Sequence, residues 1–395
     1  MNEKISPLAL KCLKQLNDAG YRAYLVGGSV RDLLRGIIPH DYDLCTSALP
    51  KETQTVFAAD KTVLTGVQHG TVTVIKGGES FEITTFRRES GYSDSRHPDH
   101  VFFTSDLYQD LSRRDFTMNA IAYHPIEGLI DPFDGETAIR KKQISCVGNP
   151  LVRFDEDALR MLRAIRFEAC LEFTIDAPTL AAISSKAFKI SDVSRERIKE
   201  ELTKILLSDN AFEGGNRLLS LLGTFLFGHE TAFLNSSVIN QTSTHESVRY
   251  AAFLLNAKHP VALLHALRCP NELIHSVSAI LKAQTASYPL SLIGARMLCR
   301  DLEKNAPPAA ELIDLRARKS DRVMSKFVSM VIEHKDPVTL SALAINGADL
   351  IGAGIPSGKE IGKVLSHLLD LVIQDPSKNQ KSVLLKEAIK FRAPS

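Results

Sequence analysis

Two aspartates, Asp41 and Asp43, stand one residue apart in LVGGSVRDLLRGIIPHDYDLCT, residues 25–46. On a strand, side chains two apart point to the same face. Two carboxylates on one face can share hard divalent cations, and Mg²⁺ prefers oxygen ligands and substrate phosphates. The chemistry this suits is nucleotidyl transfer, with one metal activating an attacking hydroxyl and another stabilising a pyrophosphate leaving group. An isolated Asp-x-Asp is also an ordinary solvated turn, so the neighbourhood decides. Gly27 and Gly28 end an apolar run just ahead of a helix start, where backbone N–H groups can approach a phosphate closely. Arg31 lies in the first turn of that helix, within reach of a triphosphate.

A second pair lies in EDALRMLRAIRF, residues 156–167. The spacing predicts one helix over 155–170, and Asp157 and Arg160, three apart, become neighbours on it. Asp accepts hydrogen bonds and Arg donates them. Cytosine and adenine each present an amino donor beside a ring-nitrogen acceptor, whereas uracil and guanine present a carbonyl beside an N–H. A fixed Asp/Arg pair therefore fits C and A and rejects U and G, because the wrong base leaves buried polar groups unpaired. The same spacing also suits a plain salt-bridged helix.

The elements that must position these residues change character near residue 140. Ahead of it, short strand patterns (23–26, 42–44, 71–76, 81–86 and 119–123) alternate with helical ones, beginning with a helix opened by Ser6-Pro7. Behind it, the periodicity is helical: 155–170, 178–186, 194–208, 215–222 and onward. Pro307-Pro308 and Asp336-Pro337 mark breaks, and Pro356-Ser357-Gly358 starts a last helical stretch to about Lys390. The expected fold is α+β: a domain of strands and helices over 1–140, then helical segments over 141–209, 210–330 and 331–395.

The 395 residues carry 48 Lys+Arg against 46 Asp+Glu, which on its face argues against nucleic acid. The average hides a gradient: −2 over residues 1–150, −1 over 151–209 and +5 over 210–395. Arg316, Arg318, Lys319, Arg322 and Lys326 form one concentration. The six cysteines are scattered, with no Cys-x-x-Cys, so neither a disulfide framework nor a zinc site is expected. The N-terminus lacks a signal-peptide core and no apolar run is long enough to span a bilayer, so a cytoplasmic protein is expected.

GGSVRDLLRG followed by DYDLCT resembles the signature of class II tRNA nucleotidyltransferases and bacterial poly(A) polymerases, members of the polymerase β-type superfamily. GVQHGTV (66–72), FEITTFRRESGYSDSRHPDHVFF (81–103), DLSRRDFTMNAIAY (110–123), DPFDG (131–135), RFDEDALRMLRAIRF (153–167) and VSRERIKEELTKIL (193–206) match in the same order, over roughly residues 20–208. The resemblance implies Mg²⁺ on Asp41 and Asp43, nucleotide contact by Arg114, and placement of the ribose by Asp115 and Asn119. It gives Asp157 and Arg160 the base-selecting role, and implies nucleotide contacts for Arg163 and Arg166. Glu82, on a strand, matches a third carboxylate used as general base in the wider superfamily; a salt bridge would explain it equally. The helix after Ser194 is expected to brace the selecting helix without touching substrate. The polar segment 86–103 is expected to be a mobile loop, and its full length argues against a CC-only enzyme. The implied activity is addition of C, C and A to the tRNA 3′ end from CTP and ATP, with pyrophosphate released. The alternatives are an A-adding enzyme working with a CC-adding partner, or a poly(A) polymerase.

Overall fold

The computed structural model describes residues 2–64, 66–90, 100–318 and 321–392. Lys319 and the tip of the expected loop, 91–99, lie outside the described residues. The chain forms two compact units, Met1–Thr231 and Ala232–Ser395.

In the first unit the strands are β1 (Ala23–Val26), β2 (Tyr42–Thr46), β3 (Lys61–Val63), β4 (Thr71–Lys76), β5 (Glu79–Thr85), β6 (Arg87–Ser90), β7 (His100–Phe103), β8 (Ala122–His124), β9 (Gly128–Ile130) and the short parallel pair β10 (Gln143–Ile144) and β11 (Thr174–Ile175). Seven of them form one mixed sheet in the order β3-β4-β5-β2-β1-β8-β9. β1 is central and apolar, antiparallel to β2 on one side and β8 on the other, and all four of its residues are buried. That is why its sequence, AYLV, does not alternate. β2 and β5 run parallel, placing Asp43 directly beside Glu82. β6 and β7 pair separately as an antiparallel ribbon, so the flanks of the expected loop are ordered strand.

Helices α1 (Pro7–Asp18), α2 (Gly28–Leu34), α3 (Pro50–Val56), α4 (Leu107–Ser112) and α5 (Gly135–Arg140) accompany the sheet. Ser6 caps α1, its hydroxyl accepting from the Leu8 N–H, with Pro7 in the first turn. Cys12, Leu13 and Leu16 line the buried face of α1. Full burial of each such leucine is worth about 1.5–3 kcal/mol.

The remaining helices of this unit are α6 (Pro150–Glu156), α7 (Leu159–Leu171), α8 (Ala177–Lys186), α9 (Arg195–Leu206) and α10 (Ala211–Phe227). The single helix expected over 155–170 is therefore broken. Asp157 is extended (φ −146°, ψ 104°), and its carboxylate accepts the Leu159 N–H that begins α7. Two other expectations shift. Asp41 precedes β2 rather than lying in it, and Asn119 sits in a 3₁₀ turn, Thr117–Asn119, ahead of β8.

The second unit is helical among its described residues: α11 (Glu246–Phe253), α12 (Pro260–Ala266), α13 (Asn271–Ala283), α14 (Leu292–Leu302), α15 (Ala306–Arg316), α16 (Val323–Glu333), α17 (Gly347–Gly352), α18 (Lys359–Gln374) and α19 (Lys381–Arg392). The break expected at Pro307-Pro308 falls just ahead of them, between α14 and α15, and the two prolines sit in the first turn of α15. The last helical stretch is divided between α18 and α19 at Asp375-Pro376. No helix among the described residues is long and apolar enough to cross a membrane.

Candidate active site

The glycine turn between β1 and α2 forms as the sequence implies. Gly27 has φ +74°, a conformation that disfavours any side chain. A Cβ there would also stand 3.2 Å from Arg114 Nη1 and 3.8 Å from Asp43 Oδ2. The turn thus lies beside one carboxylate and one guanidinium of the site.

Asp43 projects from β2 into a cleft of about 450 Å³. Gly27, Gly28, Arg31, Arg114, Asp115, Asn119, Asp157, Arg160, Arg163 and Arg166 line the same cleft. Seven arginines, counting Arg113 and Arg197, face three aspartates there, so the cleft attracts a polyanion. A larger cavity, about 1060 Å³, lies at the far ends of α2 and α7 and shares only Arg166 with these candidates.

The metal question turns on three carboxylates. Burial pushes the Asp43 carboxyl up, and the charges of Glu82 and Asp41 push it further, against the pull of Arg114. Mutual repulsion of this kind is what a divalent cation relieves. Among the described residues no group of three or more His, Cys, Asp or Glu side chains forms a ready metal cage. That fits Mg²⁺, which takes one or two carboxylates and completes its shell with water and substrate phosphate. Asp41 and Glu82 do not line the cleft itself; they reach it through their charge on Asp43.

A chain of hydrogen bonds crosses the cleft floor. Arg31 Nη1 donates to Asn119 Oδ1 (2.9 Å), and Asn119 Nδ2 donates to Asp115 Oδ1 (3.2 Å). Asp115 Oδ2 accepts from Arg163 Nε (2.8 Å) and Nη2 (2.6 Å). Burial alone would raise the Asp115 carboxyl, but Arg163 and Asn119 hold it down at about 2. Arg31 is buried, paired to Asp32, and lies 5.4 Å over the Phe167 ring. Arg166 stacks on the same ring at 3.8 Å and pairs with the buried Glu201 (2.6 Å). Its guanidinium is thus anchored at the cleft wall.

Arg114 is held by Asp110 (3.1 Å), whose fully buried carboxylate also takes Arg113 (2.7 Å). Burial opposes the charge on Asp110, yet the two arginines hold its carboxyl below the ordinary range. Asp110 is absent from the sequence-derived set, though its spacing of three and four to the arginines is a helical pairing signal.

The two base-selecting candidates do not pair with each other as helix neighbours. Arg160 Nη1 donates to Glu156 and to the Arg153 carbonyl (3.0 Å), and Nη2 to the Arg113 carbonyl (3.0 Å). Asp157 accepts from Arg197 Nη1 (3.2 Å) and Nη2 (2.7 Å). Both side chains line the cleft, Asp157 from the extended break and Arg160 from the first turn of α7. Arg197, from α9, lines it too. Nothing in the local periodicity of residues 155–170 announces a partner 40 residues away.

Comparison with known proteins extends the match to the whole chain. The poly(A) polymerase head domain covers residues 23–145, a probable RNA- and SrmB-binding site of polymerase A covers 172–221, and a putative second domain of tRNA nucleotidyltransferase covers 240–388. A protein of Lacticaseibacillus paracasei named CCA-adding enzyme is 38% identical over 390 residues, covering 95% of this chain and 94% of its own.

The chain belongs to the CCA-adding enzyme family.

The CCA-adding enzyme of Pediococcus pentosaceus is 36% identical and covered to 96% on both sides. The crystal structure of Bacillus stearothermophilus CCA-adding enzyme in complex with CTP superposes with a TM-score of 0.83 at 31% identity, covering 97% of this chain and 96% of that one. For a CCA-adding enzyme, the head sheet and the broken α6–α7 segment are the parts that meet at the cleft.

Proposed function

We infer that this protein adds C, C and A to the 3′ end of tRNA, drawing on CTP and ATP and releasing pyrophosphate without a nucleic-acid template. The observation that carries this is the single cleft in which Asp43, the arginines and the Asp157/Arg160 pair converge. Asp41 and Asp43 would hold Mg²⁺, which supplies charge stabilisation at the transferring phosphate and favours the ionised attacking hydroxyl. Arg114 and Arg163 face the triphosphate, and the Arg31–Asn119–Asp115–Arg163 chain fixes the pocket around the ribose. The RNA 3′-hydroxyl attacks the α-phosphorus, the bond to the bridging oxygen breaks, and pyrophosphate departs. Glu82, beside Asp43, is the carboxylate nearest to hand for the hydroxyl proton.

Asp157 accepts from the base amino group, while Arg160 donates to the ring nitrogen. A carboxylate offers about four acceptor positions. Leu159 N–H and Arg197 take three on Asp157, which leaves one facing the cleft. We assign 1–140 as catalytic head, 141–209 as base-selecting neck, and 210–330 and 331–395 as body and tail for tRNA, in a protein of the cytoplasm.

The test uses tRNA trimmed to end before the CCA, after the first C, or after both. CTP alone should extend the first two to the CC stage, and ATP alone only the third. Extension of the CC-ending tRNA alone would mean an A-adding enzyme. Asp41→Ala and Asp43→Ala should abolish incorporation while CTP still binds; full activity in both would remove the metal assignment.

A further inference from the structure

Three guanidiniums of the cleft share one aromatic ring. Phe167, on α7, is buried and forms part of the cleft wall. Arg31 reaches it from α2, its Cζ 5.4 Å from the ring centroid. Arg163, four residues earlier on α7 and so on the same helix face, stands at 5.6 Å, and Arg166 at 3.8 Å. The fully buried Phe116 meets the ring nearly edge-on, at 86° with centroids 5.7 Å apart, and so holds its plane.

Three like charges around one ring repel one another. Burial pulls the Arg166 pKa below the ordinary arginine value, and the Arg163 charge adds to that pull, against the support of Glu201. Each guanidinium has its own carboxylate: Asp32 for Arg31 (3.0 Å), Asp115 for Arg163 (2.6 Å) and Glu201 for Arg166 (2.6 Å). Those carboxylates stand on α2, on the segment ahead of the Thr117–Asn119 turn and on α9, so they draw the three cations towards three different elements. Phe167 is the partner that all three share. The negative face of an aromatic ring attracts a stacked guanidinium without occupying its N–H donors, which stay available to a ligand. An aliphatic side chain would fill the same space and supply none of this attraction.

We propose that Phe167 is a positioning residue for nucleotide binding, its ring gathering Arg31, Arg163 and Arg166 into one preformed site for the phosphate chain, whichever base Asp157 and Arg160 select. The repulsion among the three cations is then overcome once, on folding, and the incoming triphosphate meets guanidiniums already in place. Phe167 lies seven residues beyond Arg160, two turns or about 10 Å along α7, so the grip on phosphate and the choice of base are separable. The proposal rests on the nucleotidyl-transfer reading above and names the group that assembles its phosphate site.

The test compares the full-length protein with Phe167→Leu and with a protein carrying 3,4,5-trifluorophenylalanine at position 167, using tRNA that lacks CCA. Fluorination nearly keeps the shape of the ring and drains the negative face that attracts cations. Phe167→Leu should raise the KM for CTP and for ATP together by about tenfold, and the fluorinated ring by about threefold, since it weakens the cation–π contacts and leaves the packing. The kcat/KM ratio of CTP over UTP should stay within about twofold of the parent, because the base-selecting pair is untouched. Inhibition by inorganic tripolyphosphate, which has neither base nor sugar, should weaken by the same factors as the KM values rise. Parent-like KM values and tripolyphosphate inhibition in the fluorinated protein would overturn the proposal and leave Phe167 an apolar wall. A changed CTP/UTP ratio with unchanged tripolyphosphate inhibition would overturn it as well, placing the ring against the base. The fluorinated protein keeps the test decisive if Phe167→Leu does not fold. Failure of the parent protein to extend tRNA would instead strike the functional reading itself.

Discussion

Arg197 clasps Asp157 with both terminal nitrogens, Nη1 to Oδ1 at 3.2 Å and Nη2 to Oδ2 at 2.7 Å, across 40 residues of chain. Both side chains are largely buried and both line the cleft. The pair fixes the orientation of Asp157, so the remaining acceptor position points one way. Arg197 is therefore a positioning residue for Asp157.

Arg197→Ala should reduce discrimination of CTP over UTP by roughly ten- to hundredfold, since selectivity against a wrong hydrogen-bonding edge depends on a fixed partner. Total nucleotide incorporation should fall less than selectivity does. Ratios of kcat/KM for CTP and UTP check this. An unchanged ratio would show that Asp157 does not depend on its clasp.

Acid should unlock the Asp115–Arg163 bond. The native Asp115 carboxyl lies at about 2, below its ordinary 3.8. A depressed native value stabilises the fold above the unfolded value and is lost as pH falls through the native one. The contribution is therefore complete above about pH 4 and gone below about pH 2, and is worth about 2 kcal/mol. Urea midpoints measured from pH 5 down to pH 2 should drop over that window. Asp115→Asn should be less stable at neutral pH and show a flatter acid profile; parallel profiles would contradict the assignment.

Gly135 should matter to nucleotide binding although it does not line the cleft. A Cβ there would stand 2.3 Å from the Thr117 carbonyl oxygen, in the turn that carries Asn119. The atom met first is backbone, and Ile121 Cγ1 (2.6 Å) and Cδ1 (2.7 Å) crowd the position as well. Gly135→Ala should displace that turn and weaken the Arg31–Asn119–Asp115 chain, raising the KM for CTP and ATP several-fold. Nucleotide titration of the folded variant checks this, and parent-like affinity would show that the turn adjusts.

Chelation should stop incorporation without unfolding the protein. Asp43 stands among the like charges of Glu82 and Asp41, and among the described residues no group of three or more ligands forms a cage, so an ion there would be bound together with substrate phosphate. EDTA should abolish extension, added Mg²⁺ should restore it, and the thermal midpoint of the protein alone should stay within about a degree or two. A large EDTA-induced drop in the midpoint would point to a structural ion instead.

Much of the fold is legible wherever local pattern and tertiary need coincide. The glycine turn, the strand 23–26 and the Ser6-capped helix are cases where backbone conformation and burial demand what the residues already prefer. The break at Asp157 was not legible, because no Gly or Pro marks it. It is made by a local cap, the Asp157 carboxylate on the Leu159 N–H, held by a tertiary partner, Arg197, 40 residues away. Asn119 was misplaced into a strand because NAIAY is apolar and β-prone, while its side chain is fixed in a turn between Arg31 and Asp115. At the site, most residues that line the cleft were found from motif and spacing, Arg113, Leu159, Phe167 and Arg197 excepted. Those that hold them — Asp110, Glu156, Glu201 and Arg197 — were passed over, since a salt bridge on a helix looks the same whether or not it supports a catalytic arginine.

The central claim is that the protein itself dictates a CCA end. Its most direct test presents tRNA lacking all three nucleotides with CTP, ATP, UTP and GTP together, followed by sequencing of the 3′ ends. The account predicts C, C and A in that order and then arrest, with U and G rare. Long A tails, additions only to tRNA already ending in CC, or incorporation that follows the supplied nucleotide concentrations would contradict it.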